Sequence, residues 1–247
     1  MLKNVEKMKA TINKKTPEEM LSWAIETFTA EKIALASSMG AEDQVLTDML
    51  CKQKAFGGST KCTCIFTLDT GRLPQETYDV IAETNKKYGI RIEMLFPNTE
   101  DIQKMETSKG PNLFYESIEN RKECCRMRKI VPLQKKLKTL EVWICGLRKD
   151  QAVTRASVEK FEWDKDNGII KLNPLAEWTT AQVWDYLKTN KVPYNKLHDN
   201  GYPSIGCAPC TRAVQAGEYI RAGRWWWESP ESKECGLHVK DGKLVKK

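Results

Sequence analysis

The run Ile33-Ala34-Leu35-Ala36-Ser37-Ser38-Met39-Gly40-Ala41-Glu42-Asp43 decides the fold of this 247-residue chain. A short apolar stretch gives way to small residues, which reads as a buried strand passing into a turn. From Ala41 to Lys52 the apolar positions Val45, Leu46, Met49 and Leu50 then fall at helical spacing. The same pattern returns downstream. Cys62–Leu68 is apolar and β-branched, and is followed by Asp69-Thr70-Gly71-Arg72 and a helix from about Pro74 to Lys87. Arg91–Phe96 reads as a third strand, and Glu141–Leu147 as a fourth after the helical stretch Cys124–Leu140. Strands alternating with helices predict an α/β fold, a doubly wound and mostly parallel sheet with ligands beyond the strands' carboxyl ends. The polar turns at Ser37, Asp69 and Arg148 would then line one crevice.

Outward from this frame, Thr16 caps and Pro17 opens an amphipathic helix that runs to Phe28. Phe161–Leu172 reads as a hairpin around Asp166-Asn167-Gly168, and Thr179 or Thr180 caps a helix through Leu187. From Lys191 the chain is loop-rich until a short helix that would carry Arg221 and Arg224 on one face. No repeat or low-complexity linker interrupts it. Residues 1–227 therefore read as one domain with a C-terminal extension, and residues 228–247 as a flexible tail.

Composition sets the class. With 40% hydrophobic and 30% charged residues the chain carries the core of an ordinary soluble protein. The net charge of +7 is spread among acids, apart from the Lys240–Lys247 segment, so no nucleic-acid stripe stands out. Small anionic substrates suit this balance at least as well. The first residues are polar and resemble no secretory signal, and no run approaches the ~18 apolar residues that a membrane span needs. A cytoplasmic protein with reduced thiols is expected. Nine cysteines, an odd number, then point to metal binding or catalysis rather than a disulfide framework.

Cys207-x-x-Cys210 by itself fits a redox pair, half a zinc site or a coincidence. Cys124-Cys125 is an adjacent pair at the start of a helix. Together they supply four thiolates, enough for tetrahedral zinc or a four-iron cluster. Neighbouring side chains converge poorly on one ion, and a cluster with separated irons tolerates them better. Cys51, Cys62, Cys64 and Cys145 read instead as small buried hydrophobes. Cys235 lies in a polar tail, with Lys233 and His238 close enough in sequence to lower its pKa. The bland alternative is a stray tail cysteine.

Arginines recognise sulfate and phosphate through multidentate hydrogen bonds. A lone arginine is more often a solvated charge, but Arg72, Arg148, Arg155, Arg221 and Arg224 all fall at strand ends or beside cysteines. Lys129 follows Cys124 by five residues, within reach of a metal site and an anion together. Ser37–Asp43 resembles a degenerate phosphate loop, without the Gly-Lys-Ser/Thr ending of nucleoside triphosphatases or the Ser-Gly-Gly-x-Asp-Ser form of ATP pyrophosphatases. Binding a nucleotide with fewer phosphates fits it better than ATP cleavage, and a plain helix cap is the bland alternative. Of the two histidines, His198 reads as structural. Trp225, Trp226 and Trp227 cannot all face inward on a helix, so they cover a ligand site or pack the tail.

At these residues the chain resembles the sulfonucleotide reductases, in their iron–sulfur adenylylsulfate (APS) reductase branch. The segments carrying the likeness run from Ser37 to His238. They are Ser38-Met39-Gly40-Ala41-Glu42-Asp43, Leu68-Asp69-Thr70-Gly71-Arg72, Cys124-Cys125-Arg126-Met127-Arg128-Lys129, Gly146-Leu147-Arg148-Lys149-Asp150-Gln151 with Thr154-Arg155, Asn173-Pro174-Leu175 with Trp178, Cys207-Ala208-Pro209-Cys210, and Glu234-Cys235-Gly236-Leu237-His238. The resemblance implies an adenine nucleotide alpha-hydrolase-like fold with a cluster-binding C-terminal extension and a mobile tail. It implies a [4Fe-4S] cluster on Cys124, Cys125, Cys207 and Cys210.

The resemblance further implies two chemical steps. Cys235, assisted by His238 and Lys129, takes the sulfonate of APS as an S-sulfocysteine and releases AMP; a thioredoxin or glutaredoxin-like dithiol then releases sulfite. The nucleotide and phosphosulfate would be held by Ser37, Ser38, Gly40, Glu42, Asp69, Thr70, Gly71, Arg72, Arg148, Arg155, Arg221 and Arg224. Ser37-Ser38 departs from the aromatic-Ser pair of many relatives, which leaves the first loop position looser. Neither nucleic acid nor membrane is an expected partner, and a homo-oligomer is compatible with the sequence. The competing readings are a 3′-phosphoadenylylsulfate (PAPS) or dual-specificity reductase, a non-enzymatic iron–sulfur or zinc module, and an ATP pyrophosphatase acting on tRNA.

Overall fold

Ile33–Ala36 forms β1, at the centre of a six-stranded sheet of order β3-β2-β1-β4-β6-β5. Its neighbours β2 (Ile65–Leu68) and β4 (Val142–Ile144) both run parallel to it, with Leu35 beside Ile65 and Ile144. β3 (Glu93–Leu95) extends the sheet beyond β2, and β6 (Ile169–Leu172) beyond β4, again in parallel. The edge strand β5 (Phe161–Asp164) pairs antiparallel with β6 through the hairpin turn, where Gly168 adopts the left-handed φ of +64°. This is the doubly wound, mostly parallel sheet expected. The computed structural model describes residues 2–53, 64–151 and 155–229.

Helices cover both faces because the strands are apolar on both sides. Ile33 and Leu35 point into one core with α2 (Pro17–Thr27), α3 (Ala41–Lys52), α4 (Gln75–Tyr88) and α8 (Thr180–Thr189). Ala34, Phe66, Trp143 and Cys145 point into the other, with Leu133 and Leu137 of α7 (Val131–Leu137). α1 (Leu2–Ile12) and α5 (Thr99–Lys109) complete the set with α6 (Ile118–Cys125), which passes through a π-helical turn, Arg126–Ile130, into α7. Local chemistry fixes the helix starts. Thr16 with Glu19, and Thr179 with Gln182, form reciprocal capping boxes, so Thr179 rather than Thr180 caps α8.

Several expectations change. The stretch carrying Arg221 and Arg224 is a series of turns, with the Ala222 and Arg224 amides bonded three residues back, and Arg224 is bridged antiparallel to Thr211. Gly217, at φ +88°, and Gly223, whose missing Cβ lets the Arg212 carbonyl approach, favour that path over a helix. The third and fourth strands are also shorter than Arg91–Phe96 and Glu141–Leu147, and α6 ends at Cys125, so the cysteine pair closes that helix rather than opening one. Cys62, in the expected second strand, lies outside the described residues, as does Thr154. Among the described residues no helix is long and apolar enough to cross a membrane, and no disulfide joins the cysteines.

Candidate active site

The carboxyl ends of β1, β2 and β4 open onto a cavity of about 670 Å³. Ser37, Ser38, Gly40, Glu42 and Asp43 line one side of it, Gly146 and Arg148 another, and Lys129, Arg155, Arg221 and Arg224 bring positive charge. The loop after β1 is tightly built. The Ser37 amide donates to the Phe66 carbonyl of β2, and the Met39 amide to the Ser37 hydroxyl at 3.1 Å. Met39 takes the left-handed φ of +62°, a strained value for a non-glycine residue at the turn into α3. Gly40 then begins α3 without a capping side chain.

Arg148 has little capacity left for a ligand. It is 3% exposed, donates to Glu42 at 2.9 Å and the Trp178 carbonyl at 3.0 Å, and reaches Thr180 at 3.1 Å. It serves as a strut that presents Glu42 to the cavity. Arg155 donates to Gln151. Arg224, 7% exposed, lies against Gly206, where a Cβ would come within 2.3 Å of its guanidinium.

A second, much smaller space lies behind this cavity. Cys124, Cys125, Cys207 and Cys210 line it together, each buried, with Arg72, Arg121, Arg128 and Phe114. Lys129, Arg224 and Trp225 line both spaces and so form the wall between them. The π-helical turn after Cys125 places Arg128 against the thiols and Lys129 in that wall. The turn after β2 faces the cysteines too: the Thr70 hydroxyl lies 3.2 Å from Cys207 Sγ, and the Ala208 amide donates to the Arg72 carbonyl at 2.8 Å. Asp69 accepts from the Gly71 amide and the Tyr78 hydroxyl, which shapes this turn. Arg72 itself turns away from the large cavity. It shares Glu106 with Arg128 and donates to the Pro111 carbonyl.

The thiols feel these cations unequally. Burial raises Cys210 to about 12, helped by Cys207. Burial also raises Cys207, but Lys129, the Thr70 hydroxyl, Arg224 and Arg128 outweigh it and leave that thiol below its ordinary value. Among the described residues, no three His, Cys, Asp or Glu side chains converge on a point that could hold a metal ion. Two buried donors, Arg128 Nε and Trp225 Nε1, have no partner, and both residues line the cysteine space. Unpaired buried N–H groups are costly, so they indicate an acceptor in that space.

Several residues of the cavity carried no sequence signal. His198 lines it with Trp184 and Tyr194, and stacks edge-on to Trp184 at 5.2 Å. Burial lowers its pKa and outweighs the opposing contact of its Nδ1 with the Tyr202 carbonyl. Trp225 is 1% exposed with φ at +39°, unlike its exposed neighbour Trp226. Cys235 and His238 lie outside the described residues.

The phosphoadenosine phosphosulfate reductase domain matches residues 32–213, which spans the sheet and the cysteine site. The chain belongs to this family. It is similar to the adenosine 5′-phosphosulfate reductase of Allochromatium vinosum, with 48% identity over 85% of this chain and 80% of that protein. The protein of the same name from Burkholderia cepacia is also 48% identical, over 85% of this chain and 81% of its own. Among solved structures, a phosphoadenylyl-sulfate reductase from Candida auris in complex with phosphate superposes with a TM-score of 0.71 and 28% identity, covering 87% of this chain and 98% of that one. FMN adenylyltransferase from Candida glabrata shares the fold alone, at TM-score 0.53 and 14% identity.

Proposed function

We propose that the protein reduces adenosine 5′-phosphosulfate to sulfite and AMP in sulfate assimilation, with a thioredoxin-type dithiol as reductant. The observation that carries this reading is the shared wall of Lys129, Arg224 and Trp225 between a nucleotide-sized cavity and four buried cysteines. The relatives named for this substrate support the choice of nucleotide. The loop Ser37–Gly40 would receive the nucleotide, and Lys129, Arg155, Arg221 and Arg224 the phosphosulfate.

Cys235 would supply the nucleophile. Its thiolate attacks the sulfur of the substrate, an S–S bond forms, and the S–O bond breaks with its electron pair leaving on the AMP phosphate. Lys129 and the arginines lower the repulsion between the thiolate and the dianionic substrate and stabilise the departing charge. His238 is placed three residues beyond Cys235 to orient or activate the thiol. One thiolate of the dithiol then attacks Cys235 Sγ and expels sulfite. Its second thiol resolves the mixed disulfide, so two electrons reach sulfur and Cys235 is regenerated. A reducing cytoplasm suits this thiol chemistry.

Cys124, Cys125, Cys207 and Cys210 fit a [4Fe-4S] cluster better than a single ion. Adjacent thiolates such as Cys124 and Cys125 converge poorly on one tetrahedral ion, and a cluster with separated irons tolerates them better. The Arg128 and Trp225 donors provide N–H groups suited to its sulfur atoms. When bound, the cluster would supply fixed charge behind Lys129 rather than electrons.

The deciding experiment is sulfite release from APS and from PAPS by anaerobically purified protein with thioredoxin, beside a Cys235→Ser control. Release from APS, lost in the control, is expected. Equal turnover of both nucleotides would make the enzyme dual-specific, and release from neither by iron-loaded protein would overturn the assignment.

A further inference from the structure

Glu106 grips two guanidiniums of the cysteine site from outside it. Its Oε1 accepts from Arg72 Nη2 at 3.0 Å and from Arg128 Nη2 at 2.5 Å. Both arginines line the space that the four buried cysteines share, whereas Glu106 is not among the residues that line it. The carboxylate is itself held in place. Its neighbour Met105, 5% exposed, packs into the apolar cluster that contains the cysteines and seats α5 beside them. Asn98 caps the start of that helix by accepting from the Asp101 amide at 3.0 Å. Arg72 is fixed in turn by the Pro111 carbonyl at 2.6 Å and by the Phe114 ring, whose centroid lies 5.3 Å from its guanidinium.

Arginine presents five N–H donors in one plane. In Arg128, Nη1 donates to the Thr70 carbonyl at 2.5 Å and Nη2 to Glu106. Two ties fix the plane of the fork, and the donor left over, Nε, is buried without a protein acceptor. A buried N–H left in this way calls for an acceptor from whatever fills the space. The Thr70 tie is to backbone and survives any side-chain change. Glu106 is the tie that a side chain supplies. Cys124, raised by burial, is drawn back by the charge of Arg128 and a hydrogen bond with it, so the same guanidinium already acts on the thiols.

We infer that Glu106 is a positioning residue for the cofactor site, which aims the Arg128 Nε–H at sulfur of the group that the four thiols hold. This rests on the reading of that group as a [4Fe-4S] cluster given above. Hydrogen bonds to the sulfurs are one of the levers by which a protein tunes such a cluster. Glu106 works that lever without touching a thiol.

Two variants separate aim from charge. Glu106→Asp keeps the charge and shortens the reach by one methylene, while Glu106→Gln keeps the length and removes the charge. Resonance Raman spectra of the Fe–S stretching bands are recorded on anaerobically purified protein, with iron and sulfide content beside them. An N–H donor draws electron density from sulfur and lowers the stretch, so a lost donor raises it. Both variants are expected to keep their iron and to show bands shifted upward from the parent. The Asp variant decides, because its charge is the parent's. Parent-like or lower bands in Glu106→Asp would overturn the role, even with a shift in Glu106→Gln, which would then read lost charge alone. Loss of iron from either variant would overturn it too, since Glu106 would then hold the site together rather than aim a donor. Zinc or no metal in the parent would overturn the cluster reading instead, a failure visible before any variant is made.

Discussion

Asp43 accepts hydrogen bonds from both the amide and the hydroxyl of Ser38, at 2.6 and 2.7 Å. It also sits so close to Gly146 that a Cβ there would meet its Oδ1 at 2.3 Å. One buried carboxylate thus ties the loop after β1 to the end of β4. Burial, reinforced by Glu42 and opposed by the Ser38 bonds, pushes this carboxyl from 3.8 up to about 6.

The sign of the pH effect follows. The folded chain holds the Asp43 proton more tightly than the unfolded one, so its contribution to stability is full below about pH 4 and is lost as pH rises to about 6. The loop responds in the opposite sense, because the ionised carboxylate is the stronger acceptor for Ser38. AMP affinity of the parent protein is expected to weaken several-fold as pH falls through about 6. In Asp43→Asn the affinity should be about tenfold weaker above about pH 6 and should keep only the pH dependence that titration of the AMP phosphate itself imposes. Calorimetric AMP titrations from about pH 5 to 8 check both, and parent and variant curves of the same shape refute the idea.

Gly206 tests the anion grip without touching a charge. Its missing Cβ leaves room for the Arg224 guanidinium, all three nearest atoms of which would fall within 2.9 Å of a methyl group there. Arg224 ends in a flexible side chain, so Gly206→Ala should displace it rather than unfold the protein. The expected result is a fall of about tenfold or more in APS turnover with Tm lowered by only a few degrees. A parent-like KM for APS would show that Arg224 is not needed where the structure puts it.

Strand–turn–helix alternation revealed β1 to β4 and the crevice at their ends, because strands buried on both faces are written as short apolar runs. α5 left no such mark: only Met105 of its eleven residues is buried, so it carries no apolar stripe. The two cysteine pairs were legible as neighbours, and they do line one space, but the direction of each arginine was not. Arg72 and Arg128 are drawn together by Glu106, a partner more than twenty residues away in the chain. Arg148 is likewise committed to Glu42 and α8, and nothing local in the sequence encodes those distances. Trp225 was hidden among three tryptophans. Only its left-handed backbone and its place between two guanidiniums single it out.

Asp48 offers a stability test remote from the chemistry. It is 1% exposed and accepts from Tyr88 at 2.7 Å, Tyr186 at 2.8 Å and Lys52 at 2.7 Å, which joins α3, α4 and α8. Burial, with the Asp48 bond behind it, raises both tyrosines well above the ordinary phenol value. Tyr88→Phe or Tyr186→Phe removes one donor from a buried carboxylate and should cost about 1.5–3 kcal/mol each. Urea melts read the loss, and AMP affinity should not change. Additive costs in the double variant would argue against a shared acceptor, since two donors to one carboxylate should couple.

Iron content separates the cysteines by role. Cys124, Cys125, Cys207 and Cys210 share one small space with Arg128 and Trp225, whose Nε and Nε1 donors face no protein acceptor. Cys145 is as deeply buried, 2% exposed, but it belongs to the apolar core beneath the sheet and does not line the space the four thiols share. Anaerobic protein is expected to carry about four irons and four acid-labile sulfides per chain. Serine at any of the four shared positions should remove nearly all of both. Cys145→Ser should retain them and instead lower stability by about 1–3 kcal/mol, through a hydroxyl buried among apolar side chains. One zinc per chain in place of iron would select the single-ion site. Full iron in a Cys210→Ser protein would mean that the space behind Lys129 is held by something other than these four thiols.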